Sequence, residues 1–215
     1  MNRLQLTKTI IFLAALIPLA RLLWKALHDG LGANPIEVIT HSTGDWTLIF
    51  VLTTLSITPL RQITRQHWLI GLRRLVGLFA FFYGTLHFLT YIWLDKFFDL
   101  HEMLKDIEKR RFITAGFAAF VLMIPLALTS TAWSIRRLGG KNWQRLHRLI
   151  YLTGILAVVH YIWLVKADLR KPLEYAAVLT ILLAYRVAIW AKEKASGNRQ
   201  HNANPVPSPR PAEFE

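Results

Sequence analysis

Apolar residues run along this chain in six blocks separated by short polar connections. Residues 75–94 are 20 positions without a formal charge, and residues 112–135 are 24. Crossing ~30 Å of hydrocarbon at ~1.5 Å per helical residue takes roughly 20 apolar residues. Both blocks therefore predict membrane-spanning helices. Residues 149–165 (17 positions) and 46–60 (15 positions) are shorter, and the second extends past Asp45 towards its N-terminal side. The outermost blocks are interrupted, 9–20 by Arg21 and Lys25 and 175–185 by Arg186. Long basic side chains keep their stems in lipid and carry their charge to the interface, so both count as spans. The pattern predicts an all-α membrane protein, a six-transmembrane-helix bundle over residues 1–195. Arg3 and Lys8 ahead of the first block resemble the start of a signal peptide. No convincing small-x-small cleavage site follows, and Trp24 and Lys25 occupy the stretch where one would be expected, so this block is expected as a retained helix. Residues 196–215 hold four prolines and few apolar positions. Such a stretch buries too little surface to offset chain entropy, so a disordered cytoplasmic tail is expected there.

Composition agrees. The 215 residues are 53% hydrophobic and 18% charged, with mean hydropathy +0.33, whereas soluble domains carry about 25% charged residues. The net charge of +13 would point to nucleic acid on a soluble chain. Here the basic residues gather between the apolar blocks, which points to membrane lipid and not to nucleic acid. Connection 61–74 carries Arg61, Arg65, Arg73 and Arg74; connection 136–148 carries Arg136, Arg137, Lys141, Arg145 and Arg148. Connection 26–45 carries no Lys or Arg, and 95–111 balances five bases with five acids. With Arg3 and Lys8 in front and Lys192 and Lys194 behind, the bias predicts cytoplasmic N- and C-termini. The chain has no Cys, which excludes disulfides, cysteine zinc sites, iron–sulfur clusters and cysteine nucleophiles. Neither a glycine-rich phosphate loop nor the three-glycine G-x-G-x-x-G motif of a dinucleotide site is present.

Ionisable residues inside spans mark function. His87 lies in GTLHFLTY, His160 in AVVHYIW, and His147 in NWQRLHRLIYL at the entry to the fifth span. His87 is 12 residues past Leu75, about 18 Å at helical rise, and His160 is 13 past His147, about 20 Å. On two helices running the same way, His87 and His160 fall at similar depth in the outer half. A haem between helices takes one imidazole on each side of its iron, and apolar helix surfaces cover the porphyrin. His147, at the inner end, has the separation of a second haem. Thirteen residues turn ~220° about an ideal helix, so His147 and His160 share a face only through an irregularity, for which Gly154 is the expected place. A zinc or di-iron site is disfavoured, because neither helix places a carboxylate or a Glu-x-x-His spacing beside these residues.

GLGANPIE, TPLR, RRLVGLFAFFYGTLHFLTYIWL, LALTST and above all WQRLHRLIYLTGILAVVHYIW resemble the MsrQ (formerly YedZ) family, over roughly residues 10–190. That family lies in the ferric-reductase-like transmembrane group, with the ferric reductases and NADPH oxidases. The resemblance implies a b-type cytochrome of the bacterial inner membrane, binding one haem b or two through His87, His147 and His160, with FMN also associated. It implies electron transfer from the quinone pool or a cytosolic flavin reductase to a periplasmic, molybdopterin-containing methionine-sulfoxide reductase subunit that repairs oxidised proteins. The chain would then be the electron-transfer subunit and not the catalytic one. It departs from the oxidases in two respects. The position about 14 residues before His87, where they carry an inner ligand, is Arg73; and about 25 residues follow the sixth block, in place of a flavin and nicotinamide domain. Electrons are therefore expected from a separate donor, with the partner docking near 95–111. The basic collar of Arg73, Arg74, Arg136, Arg137, Lys141, Arg145 and Arg148 is expected round His147, facing lipid or a donor. A different class, a multi-pass transporter of an anionic substrate without haem, would need paired Gly/Pro breaks in two halves. Pro18, Pro59 and Pro125 occur singly.

Overall fold

A computed structural model describes residues 3–165 and 167–203, the side chains of 196–203 excepted. The described residues form helices joined by short turns, without a strand. In chain order the helices are α1 (Arg3–Leu27), α2 (Pro35–Thr64), α3 (Arg73–Leu89), α4 (Leu100–Lys109), α5 (Arg111–Leu128), α6 (Ala132–Leu138), α7 (Gly140–His147), α8 (Leu149–Leu164) and α9 (Arg170–Ala203). A 3-10 turn, His67–Leu72, leads into α3, and a π-helical segment, Thr90–Asp95, prolongs it. Six segments are long and apolar enough to cross a membrane: α1, α2, His67–Asp95, α5, Gly140–Leu164 and α9 up to Ala195. The tail expected beyond residue 195 lies outside the described residues, apart from the backbone of α9 to Ala203.

Helix ends follow local chemistry. Asn34 caps α2, its side chain accepting from the Glu37 backbone N–H at 3.3 Å, with Pro35 in the first turn. This start shortens the first connection, expected as 26–45, and puts Asp45 inside a spanning helix. The helix thus carries a carboxylate, in line with the extension of the second block past Asp45. Asp99 caps α4 through the Glu102 N–H at 3.1 Å, and Thr131 caps α6 through that of Ser134, also at 3.1 Å. Gly139, at φ 74°, makes the left-handed turn between α6 and α7 that a side chain would strain.

α2 is the central helix. It packs along α3 and also meets α1, α8 and α9, while α5 packs along α8. Val51, Leu55, Ala80 and Thr153 are fully buried at the core, and Tyr83 nearly so. Phe50 stacks on Phe79 and Tyr83 at 5.7 and 5.4 Å. Pro18 opens the hydrogen-bond ladder of α1, and the Tyr83 hydroxyl enters the gap. It donates to the Ala15 carbonyl at 2.8 Å and accepts from the Leu19 N–H at 3.2 Å. Neighbouring side chains satisfy freed backbone groups in this way where no water is at hand. The periphery is apolar and exposed, with Leu13, Leu23, Ile181 and Val187 at 55–68%. That is the inside-out distribution of a chain whose outer solvent is lipid.

Candidate functional site

The two membrane histidines predicted at equal depth are brought together. The rings of His87 on α3 and His160 on α8 have centroids 6.1 Å apart, with planes at 80°. Each is oriented by a main-chain carbonyl from a neighbouring helix. His87 Nδ1 lies 3.0 Å from the Thr40 carbonyl on α2, and His160 Nδ1 lies 2.6 Å from the Phe112 carbonyl in the first turn of α5. A carbonyl only accepts, so both Nδ1 atoms carry the proton and both Nε2 atoms keep a lone pair. Two imidazoles bound through Nε2 at about 2 Å on opposite sides of one metal ion have ring centroids roughly 6 Å apart. The observed spacing fits that arrangement.

Glycines give these rings their room. A Cβ on Gly44 of α2 would stand 3.0 Å from His87 Cε1, and one on Gly116 of α5 would stand 2.6 Å from His160 Nδ1. No ordinary side chain tolerates the second distance. On the α3–α5 side, Phe88 stacks on Phe120 at 4.6 Å and Phe81 on Phe120 at 5.8 Å. These rings form an apolar wall of the kind that keeps water from a porphyrin. Asp45 follows Gly44 and lies within charge reach of the Tyr161 and Tyr175 hydroxyls.

His147 stands apart. It ends α7, stacked on Trp143 at 3.9 Å, and its Nε2 is 3.1 Å from the Thr129 hydroxyl. Trp143 Nε1 donates to the Thr129 carbonyl at 2.9 Å, pinning α7 to the end of α5. Arg73, at the position where an inner imidazole would be expected, lies within charge reach of His147. The irregularity required between His147 and His160 is at Arg148, whose N–H turns back to the Arg145 carbonyl at 3.2 Å. Gly154 is not that break. It lies inside α8 against Leu179, Leu55 and Val51, where its missing side chain permits close packing.

Connection 95–111 proves to contain a helix. α4 is amphipathic, and its buried Asp106 bonds Lys96 Nζ at 2.7 Å, Arg110 Nε at 3.2 Å and the Tyr91 hydroxyl at 3.3 Å. Burial alone would raise the Asp106 pKa, but the bonds from Lys96, Arg110 and Tyr91 outweigh it and hold the carboxyl below its ordinary value. Tyr91 is one helical turn beyond His87, so this cluster ties α4 to the histidine-bearing segment. Phe97 and Phe98, which follow Lys96, have φ values of 47° and 62°, strained for aromatic residues.

The sequence reading missed the Thr40 and Phe112 carbonyls, Gly44, Gly116 and Thr129. Glycines isolated within apolar helical blocks were the available signal. Main-chain acceptors leave none.

Comparison with known proteins identifies a family. The family described as ferric reductase like transmembrane component matches residues 42–158, taking in His87 and His147 and stopping just short of His160. The chain is 54% identical over 198 residues to the protein-methionine-sulfoxide reductase heme-binding subunit MsrQ of Herminiimonas arsenicoxydans, covering 91% of this chain and 90% of that one. It is 52% identical over 191 residues to the MsrQ subunit of Bordetella pertussis, covering 88% and 92%. The corresponding subunit of Xanthomonas euvesicatoria is 46% identical over 207 residues, covering 94% of each. No solved structure matches the chain.

Proposed function

Because this chain belongs to the MsrQ heme-binding subunits of protein-methionine-sulfoxide reductase, within the ferric reductase-like transmembrane family, we propose that it is a b-type cytochrome and that His87 and His160 are the axial ligands of its haem. The observation that carries this reading is the facing pair, 6.1 Å between centroids with both Nδ1 atoms on main-chain carbonyls. A haem held there supplies one-electron iron chemistry. The Thr40 and Phe112 carbonyls fix each ring's tautomer and rotation and strengthen the Nε2 donors. Gly44 and Gly116 let the rings seat against α2 and α5. The Phe81, Phe88 and Phe120 rings exclude water, so a one-electron change meets little solvent reorganisation. His147 is the proposed inner ligand; its Nδ1, or its Nε2 if the Thr129 contact were given up, would hold the metal.

On this reading electrons enter at the basic end of the bundle, from a quinone or a separate flavin reductase, with FMN as an associated cofactor. They leave at the end formed by α4 to a molybdopterin-containing methionine-sulfoxide reductase subunit. The basic end faces the cytoplasm and the α4 end the periplasm of a bacterial inner-membrane protein, supported by the Lys and Arg bias. The mixed charge of α4 suits a partner that must dock and leave each cycle. Residues 1–195 are the haem-binding domain and 196–215 a cytoplasmic extension.

Two measurements test this. The purified chain should show a Soret band, reducible α and β bands and a low-spin bis-imidazole electron paramagnetic resonance signal; a colourless preparation after haem supplementation ends the cytochrome reading. Reporter fusions after Arg137 and after Lys194 should both report cytoplasm, and a periplasmic signal from either overturns the orientation.

A further inference from the structure

A second polar cluster lies at the basic end, where α2, α3, α8 and α9 meet. Arg186 on α9 reaches inward with a split fork. Its Nη1 donates to the Tyr151 hydroxyl at 2.8 Å and its Nη2 to the Leu55 carbonyl at 2.8 Å. The guanidinium carbon lies 4.9 Å over the Tyr151 ring. Both acceptors are neutral. The third guanidinium nitrogen, Nε, is buried and has no partner among the described residues. One turn along α2 from Leu55, the Thr58 hydroxyl is likewise buried and without a partner. Arg73 opens α3 within charge reach of Arg186 and Tyr151. Neither arginine has a carboxylate within ion-pair distance among the described residues.

This arrangement is costly as it stands. Two guanidinium charges repel across a bundle whose other solvent is hydrocarbon, and a buried charge needs a counter-charge as well as hydrogen bonds. Planar guanidinium matches carboxylate and phosphate oxygens, and the free donors here are an Arg186 N–H, a threonine hydroxyl and the Arg73 head group. We infer that Arg73 and Arg186, with Thr58 and Tyr151 beside them, form an oxyanion-binding site at the basic end of the bundle. The ligand carries a carboxylate or a phosphate and enters from that membrane face. Two sources supply such a group: the propionate of an inner haem beside His147, or the headgroup of an anionic lipid. The site does not depend on the His87–His160 pair; only its propionate source rests on the cytochrome reading.

The full-length chain in nanodiscs distinguishes these sources. In one arm the haem-free chain is titrated with hemin and with hemin dimethyl ester, which lacks free carboxylates. In the other, retained lipid is weighed by native mass spectrometry from discs holding phosphatidylglycerol and a neutral galactolipid. The wild-type chain should prefer the anionic ligand by about tenfold or more in at least one arm, and that arm identifies the source. Arg186→Gln and Arg73→Gln should bring the preference close to parity. Arg186→Lys keeps the charge but loses the fork, so it should retain only part of it; this variant keeps the test decisive if Arg186→Gln fails to insert. No preference in either arm, or a preference unchanged by both Arg186→Lys and Arg73→Gln, overturns the site. If the low-spin haem signal is absent while the lipid preference persists and depends on arginine, the cytochrome reading falls and the oxyanion site stands.

Discussion

The two ends of this bundle treat histidine in opposite ways. At the α4 end, His87 and His160 give Nδ1 to main-chain carbonyls and face each other across 6.1 Å. At the basic end, His147 has Nε2 on the Thr129 hydroxyl, an indole stacked on its face and an arginine where a second imidazole would be expected. A carbonyl cannot donate, so it fixes the tautomer and leaves Nε2 to a metal. A hydroxyl does both; Thr129 also lies 2.6 Å from the Pro125 carbonyl, so its one proton is shared between two uses. The pair at the α4 end is thus organised in advance for an axial metal, and His147 is not. Equal conspicuousness in sequence conceals unequal preparation in the fold.

Replacing a ring breaks this comparison most directly. His87→Ala or His160→Ala should abolish the low-spin bis-imidazole signal, while His147→Ala leaves it intact; loss of that signal in His147→Ala alone would reverse the assignment. Next in size is the glycine pair. Gly116→Ala should cut haem affinity by more than about tenfold, since its Cβ would stand 2.6 Å from a ring already fixed by hydrogen bonding. Gly44→Ala, at 3.0 Å, should cost less, and haem titration of both variants checks the order. Equal affinities would mean that the rings move freely.

Asp106 gives a smaller effect of a different kind. Asp106→Asn should destabilise the chain by about 1–3 kcal/mol, from lost charge-assisted bonds. The carboxyl's folded pKa is depressed. Its contribution is therefore present above the unfolded value, about 3.9, and is lost as pH falls through the lower folded value. Thermal unfolding should show wild type and variant converging at low pH and separating above pH ~5; a constant gap down to strong acid counts against the ion pairs. The smallest effect belongs to Thr129→Val, which frees His147 Nε2. It should leave the outer signal unchanged and alter only spectra that depend on His147, and a changed outer signal would show that the two ends are coupled.

Much of this architecture was legible along the chain. Crossing hydrocarbon demands long charge-free helices, so residues 75–94 declared themselves by length alone; the 112–135 block did so only in part, because α5 ends at Leu128 and Thr131 caps a separate α6. Interruption by Arg186 did not prevent the last crossing, because a long basic side chain finds acceptors inside the bundle. The depth of His87 and His160 was readable too, since helical rise is fixed. What one-dimensional spacing does not contain is rotation. That the two rings face each other depends on the packing of α2 against α3 and α5 against α8, and on glycines whose role is to leave space. The break at Arg148 rather than Gly154 and the carbonyls that choose each tautomer were decided by tertiary structure. Main-chain acceptors are the same at every residue, so only the fold determines which of them meets a histidine.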